Sequence, residues 1–144
     1  MIVRELMTGA VITALPSMPI LDARNLMLKE RIRHLPVTDA EGRLLGIITD
    51  RDIRLNLPSQ ATSLSVWEIN HLLAKLTVGD VMTETVIAVG PDRPARDAAE
   101  LMVDHQIGAL PVEDAGRLVG IVTETDLLRA FIRMETPFGT LRHS

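Results

Sequence analysis

Residues 46–52 read GIITDRD, and residues 120–126 read GIVTETD. Threonine followed three positions later by a carboxylate, just ahead of an apolar stretch, is the pattern of a helix capping box. The threonine oxygen accepts from a backbone N–H of the first helical turn, and the carboxylate accepts from the threonine's own N–H. Each stretch therefore predicts a helix start, at Thr49 and at Thr123, after a short apolar strand. Two helices opening on nearly the same letters suggest that the likeness runs further.

Laying the sequence on itself at an offset of 75 extends the match outward. VRELMTGAVIT at 3–13 meets VGDVMTETVIA at 78–88, DARNLM at 22–27 meets DAAELM at 97–102, and IRHLPVTDA at 32–40 meets IGALPVEDA at 107–115. One residue then drops out at a turn, and GRLLGIITDRD at 42–52 meets GRLVGIVTETD at 116–126. About half of the roughly fifty aligned positions are identical. The chain is two copies of one unit, expected over 1–57 and 78–134, with a connector at 58–77 and a tail at 135–144.

Each copy reads strand, helix, strand, strand, helix, a mixed α/β (α+β) pattern. Val11–Leu15 and Val86–Val89 are short, β-branched and stopped by Pro16 and Gly90. The helix that follows tolerates Pro19 or Pro94 in its first turn, with Ala23, Leu26 and Met27, or Ala98, Leu101 and Met102, on its inner face. Leu35–Thr38 and Leu44–Ile48 form a hairpin in which Gly42 can take a positive φ. In the connector, residues 58–65 are expected to be loop. Ser65 and Glu68 form a third capping box, opening a helix whose Val66, Ile69, Leu72, Leu73 and Leu76 need burial.

Composition removes several function classes. The 144 residues suffice for one compact domain or two small units. Aromatics are only 2% and the net charge is −4, so stacking platforms and a phosphate-backbone surface are both lacking, and nucleic acid is not an expected partner. Cysteine is absent, and His34, His71, His105 and His143 have no metal-ligand spacing. The seven methionines are expected to pack the core, since Met7 and Met82, and Met27 and Met102, are equivalent positions. No apolar run approaches a membrane span and the N-terminus lacks a signal-peptide layout, so a cytoplasmic protein is expected. No nucleophile–base–orienter set or working pair of carboxylates is present, so no enzyme is expected. Trp67 is expected to make a packing or dimer contact.

With the VMT/LMT opening, Leu-Pro-Val-x-Asp, the hairpin glycine and G-h-h-T-x-x-D all present twice in the same order, residues 3 to about 130 resemble a tandem pair of cystathionine-β-synthase (CBS) domains, a Bateman module. The connector further resembles that of bacterial acetoin-utilisation-type CBS-pair proteins. The resemblance implies two β-α-β-β-α repeats packed sheet to sheet with pseudo-twofold symmetry, and two clefts that commonly bind adenosine-containing ligands such as AMP, ADP or ATP. It also implies a homodimer formed through helices, and a partner protein that the module regulates. Carried onto this chain, one cleft would hold Ile47, Thr49, Asp52, Arg33 and His34, with Val86, Ile107 and Gly108 from the second copy. The other would hold Ile121, Thr123, Asp126, Gly108 and Ala109, with Val11, Ile32 and Arg33 from the first. In such clefts the Asp receives the ribose hydroxyls, and the Thr meets ribose or phosphate.

Physical chemistry accommodates that assignment, because a carboxylate accepts two hydrogen bonds from a cis-diol and a helix N-terminus favours phosphate. A plainer reading stands beside each feature. Thr-x-x-Asp serves as a helix cap without any ligand. Arg31, Arg33 and His34, with Arg51 and Arg54, can form a solvated basic face. The two function classes are therefore a non-catalytic sensor of an adenosine-containing ligand and a ligand-free dimerisation scaffold.

Overall fold

The computed structural model describes residues 1–57 and 64–135. Of the expected connector loop, residues 58–63 lie outside the described residues, as do residues 136–144 of the tail. The elements in order are α1 (Val3–Leu6), α2 (Ile20–Glu30), β1 (His34–Thr38), β2 (Leu44–Thr49), α3 (Asp50–Leu55), α4 (Val66–Leu73), α5 (Val78–Val81), α6 (Ala95–His105), β3 (Ala109–Asp114), β4 (Arg117–Thr123) and α7 (Glu124–Met134).

The chain forms two compact units whose borders cross those of the sequence copies. One unit is Ile12–Val86; the other joins Met1–Val11 to the chain from Ile87 onward. Each copy's lead-in segment packs with the other copy. In the first unit α5 is anchored by the Val78 N–H donating to the Met18 carbonyl at 2.8 Å, and the Gly79 N–H donating to the Pro16 carbonyl at 2.9 Å. In the second, the Val3 N–H donates to the Arg93 carbonyl at 2.9 Å and the Arg4 N–H to the Pro91 carbonyl at 2.8 Å. Val78 and Val3 are fully buried in the cores they join.

The hairpins form as expected, with β1 antiparallel to β2 and β3 antiparallel to β4, and with Gly42 in the turn at φ 83°. Residues directly opposite in an antiparallel pair share a face, and alternate residues change face. Leu35 opposite Ile48 and Leu110 opposite Val122 therefore turn to the core, where all four are fully buried. Ala23 and Met27 of α2 complete one core and Ala98 and Met102 of α6 the other, while Leu26 and Leu101 are partly buried.

The expected first strand of each copy contracts to one bridging residue. Ala14 pairs in parallel with Val37, and Val89 with Val112. A further parallel rung needs the next-but-one residue, which is Pro16 or Pro91. Proline has no N–H to give, and both proline carbonyls already accept from a lead-in segment, from Gly79 and from Arg4. Pro19 and Pro94 stand at the N-cap, one residue before the helices whose first turn they were expected to join.

Helix α4 opens on the expected capping box, the Glu68 N–H donating to Ser65 Oγ at 3.1 Å. Its apolar stripe is buried only at one end. Leu73 is 6% exposed, whereas Val66 is 75% and Leu72 48% exposed. Burial starts where the chain rejoins the unit, at the bond from the Ile20 N–H to the Leu76 carbonyl. Trp67 is exposed and stacks on His71 with ring centroids 5.4 Å apart. Among the described residues no helix is long and apolar enough to cross a membrane.

Candidate functional site

Strand β2 runs directly into α3, and the junction is Thr49. The Thr49 N–H donates to Asp52 Oδ2 at 2.9 Å, and the Asp52 N–H donates to Thr49 Oγ1 at 3.1 Å. At the junction of β4 and α7, the Thr123 N–H donates to Asp126 Oδ2 at 2.9 Å and the Asp126 N–H to Thr123 Oγ1 at 3.3 Å. Both capping boxes are complete, and both are half-buried.

In each box one carboxylate oxygen does the capping. Among the described residues, Oδ1 of Asp52 and Oδ1 of Asp126 accept no hydrogen bond. Each aspartate can thus hold its helix with Oδ2 and present Oδ1 to a hydroxyl donor. The hydroxyl groups differ. Thr123 Oγ1 donates to Asp126 Oδ2 at 3.0 Å, whereas Thr49 Oγ1 has no acceptor among the described residues and keeps its proton available.

The hairpin register fixes the neighbours. His34 lies opposite Thr49 and Pro36 opposite Ile47, so His34, Thr49 and Ile47 share the half-exposed face of β1–β2. Ala109 opposite Thr123 and Pro111 opposite Ile121 repeat the pattern in β3–β4. Val86 belongs to the unit that contains Thr49, and Val11 to the unit that contains Thr123, each partly buried. Of the residues expected to be shared across copies, Ile107 and Gly108 belong to the Thr123 unit, and Ile32 and Arg33 to the Thr49 unit.

At the start of the hairpins the backbones match while the charges differ. The Asp50 N–H donates to the Arg33 carbonyl at 3.1 Å, and the Glu124 N–H donates to the Gly108 carbonyl at 3.0 Å. Arg33 places an exposed guanidinium there. At Gly108 a Cβ would run into the Glu124 carboxylate, so that position is closed to a larger residue unless Glu124 moves. Ile32 and Arg33 also line a cavity of about 510 Å³ between α2 and α3, whose walls do not include Ile47, Thr49 or Asp52. The sequence marks Arg31, Arg33 and Arg54 as a basic face but not this groove; Arg24, seven residues before the α2 C-cap Arg31, is the signal that could have found it.

Residues 3–59 and 78–133 match the family model described as CBS domain. Among solved structures, the Vibrio cholerae protein named as a putative acetoin utilization protein (AcuB) is 32% identical, with 93% of this chain and 92% of its own covered and a TM-score of 0.77. CBSX2 of Arabidopsis thaliana in complex with AMP is 30% identical over 93% of this chain and 98% of its own, with a TM-score of 0.79. The CBS domain pair of protein MJ0100, in complex with 5′-methylthioadenosine and S-adenosyl-L-methionine, is 33% identical over 91% of this chain and 99% of its own, with a TM-score of 0.74. The chain also spans 23% of the length of the L-aspartate semialdehyde sulfurtransferase of Methanocaldococcus jannaschii, at 34% identity.

Proposed function

Because the chain belongs to the CBS domain family, we propose that it is a non-catalytic regulatory module that binds an adenosine-containing ligand, AMP, ADP, ATP or another adenosyl compound. The observation that carries the reading is the division of labour in Asp52, where Oδ2 caps α3 and Oδ1 is left to accept from a ribose hydroxyl. Thr49 Oγ1 supplies a donor beside it, and Ile47 and Val86 offer apolar wall for an adenine ring. Arg33 supplies the cationic group for phosphate, with the His34 imidazole beside it as a further hydrogen-bonding group. Thr123 and Asp126, with Ile121, Ala109 and Val11, form the corresponding candidate site in the other unit. The complexes of CBSX2 with AMP and of MJ0100 with two adenosyl ligands support the ligand class.

Assembly as a cytoplasmic homodimer belongs to the same proposal. Val103, Leu128, Phe131 and Ile132 of α6 and α7 are 75, 63, 59 and 62% exposed, an apolar group of side chains suited to burial against a second copy. Ligand binding then shifts the population of arrangements that a regulated partner protein meets.

Thermal melting with AMP, ADP, ATP, S-adenosylmethionine and NAD tests the function. A ligand at ~100 times its dissociation constant adds ~2.7 kcal/mol of stability. No shift with any of the five leaves the ligand-free scaffold, for which the completed capping boxes are sufficient explanation.

A further inference from the structure

The cavity between α2 and α3 has an apolar floor, with Met27 and Ile53 buried, and a rim of arginines. Arg24 and Arg31 come from α2 and its C-cap, Arg33 from the lead into β1, and Arg54 from α3. Among the described residues none of the four makes an ion pair, although the chain carries 19 acidic residues. Among the described residues that line the cavity, Asp50 is the only one with a carboxylate. An excess of guanidiniums around one concave site raises the local positive potential, and a bound anion relieves it.

The other copy contains its own control. The cavity between α6 and α7, about 390 Å³, is lined at the equivalent positions by Ala99, Gln106, Gly108 and Leu128, with Glu124 in the place of Asp50. The same groove is built twice, and only one version is basic. Helix packing alone requires no arginine, since the α6–α7 groove forms without any among its described lining residues.

We propose that the α2–α3 groove is an anion site for a di- or triphosphate group, which shares Arg33 with the Thr49/Asp52 site but is otherwise built from other residues. Guanidinium forks converging from three segments match a ligand with several phosphate oxygens in a small volume, because each fork can hold two oxygens at once. A volume of about 510 Å³ accommodates inorganic tripolyphosphate, or the phosphate tail of a nucleotide together with part of its body. The site does not rest on the adenosine reading, and either can fail alone.

Calorimetric titration of the full chain with tripolyphosphate, and separately with ATP, tests it. The wild-type protein is expected to give saturable binding that weakens steeply with salt. Arg24→Ala/Arg54→Ala is expected to weaken it by about a hundredfold or more, at roughly tenfold or more for each charge-assisted hydrogen bond removed. Arg93→Ala/Arg96→Ala is expected to leave tripolyphosphate binding unchanged. Loss with Arg24→Ala/Arg54→Ala for tripolyphosphate identifies the bare phosphate chain as sufficient; loss for ATP alone identifies the nucleotide tail, and both support the site. Absence of saturable binding by either compound overturns it. So does an Arg24→Ala/Arg54→Ala protein in which neither tripolyphosphate binding nor ATP binding is weakened, or an equal fall with Arg93→Ala/Arg96→Ala.

Discussion

Ile47 and Thr83 exchange both backbone hydrogen bonds, Ile47 N–H to Thr83 O at 3.0 Å and Thr83 N–H to Ile47 O at 2.9 Å. Thr8 and Ile121 do the same at 2.8 and 3.0 Å. Each bridge joins the lead-in of one copy to the second hairpin strand of the other. The apolar core of each unit is therefore completed by a residue from the opposite copy.

A stability consequence follows from Val3 and Val78. Val78→Ala should destabilise the Ile12–Val86 unit by about 2–3 kcal/mol, and Val3→Ala the other unit by a similar amount. Chemical denaturation of the full chain measures both. A fragment of residues 12–86 should give a dispersed spectrum, and a fragment of residues 1–57, which lacks Val78, should not. The reverse order of the two spectra would contradict the crossed arrangement.

Glycines mark where the lead-in segments cross. A Cβ on Gly46 would stand 2.7 Å from the Thr83 carbonyl oxygen and 2.8 Å from Met82 Sδ. On Gly120 it would stand 3.0 Å from the Thr8 oxygen, with Met7 closer still. Gly46→Ala and Gly120→Ala should each cost about 1–3 kcal/mol by forcing the segments apart. Hydrogen exchange at Thr83 and Ile47 should speed up in Gly46→Ala. Unchanged protection there would show that the segment yields while keeping its bridge.

Capping and ligand binding separate at Thr49. Thr49→Ala removes the cap and should cost about 0.5–2 kcal/mol. Thr49→Ser keeps the oxygen, and should retain most of the stability and the ligand response. A Thr49→Ser protein as unstable as Thr49→Ala would show that the methyl group, not the oxygen, is the contribution.

Helices α2 and α6 both end on a side-chain-bearing residue in the left-handed region, Arg31 at φ 57° and Gln106 at φ 55°. Glycine adopts that conformation without the Cβ clash. Gln106→Gly should raise stability by about 1 kcal/mol, read as a higher denaturation midpoint. An unchanged or lower midpoint would mean that the Gln106 side chain makes interactions that offset the strain.

The repeat and the capping boxes at Thr49, Ser65 and Thr123 are legible in the sequence because they are local: Thr-x-x-Asp and Ser-x-x-Glu specify their own hydrogen bonds within four residues. The core faces of α2 and α6 are legible for the same reason, from the spacing of Ala23 with Met27 and Ala98 with Met102. The crossing of the lead-ins is not. Self-alignment shows that Val3 and Val78 are equivalent, and equivalence does not say which core either one enters. The contraction of the first strands depends on that crossing, since the Pro16 carbonyl is taken by Gly79 of the other copy. At the site, Thr49 and Asp52 can be read from the motif, whereas the free Oδ1 needs the capping geometry. Val66 and Leu72 remain exposed against expectation because an apolar stripe on α4 marks a surface that can be buried and does not supply the neighbour that buries it.

The most direct test is calorimetric titration of AMP into the wild-type protein, Asp52→Ala and Asp126→Ala. Arg33 and His34 flank the Thr49 site, whereas Gly108 and Ala109 stand at the matching positions beside Thr123. One missing hydrogen bond to a charged group is worth about 1.5–3 kcal/mol, roughly a 10- to 150-fold difference in affinity. Wild type should therefore show a tighter and a weaker phase, with uncharged adenosine discriminating less. Asp52→Ala should abolish the tighter phase and Asp126→Ala should leave it standing, once each variant is shown by melting to remain folded. A tight phase that survives Asp52→Ala and disappears with Asp126→Ala, or the absence of any AMP binding by the wild-type protein, would contradict the account.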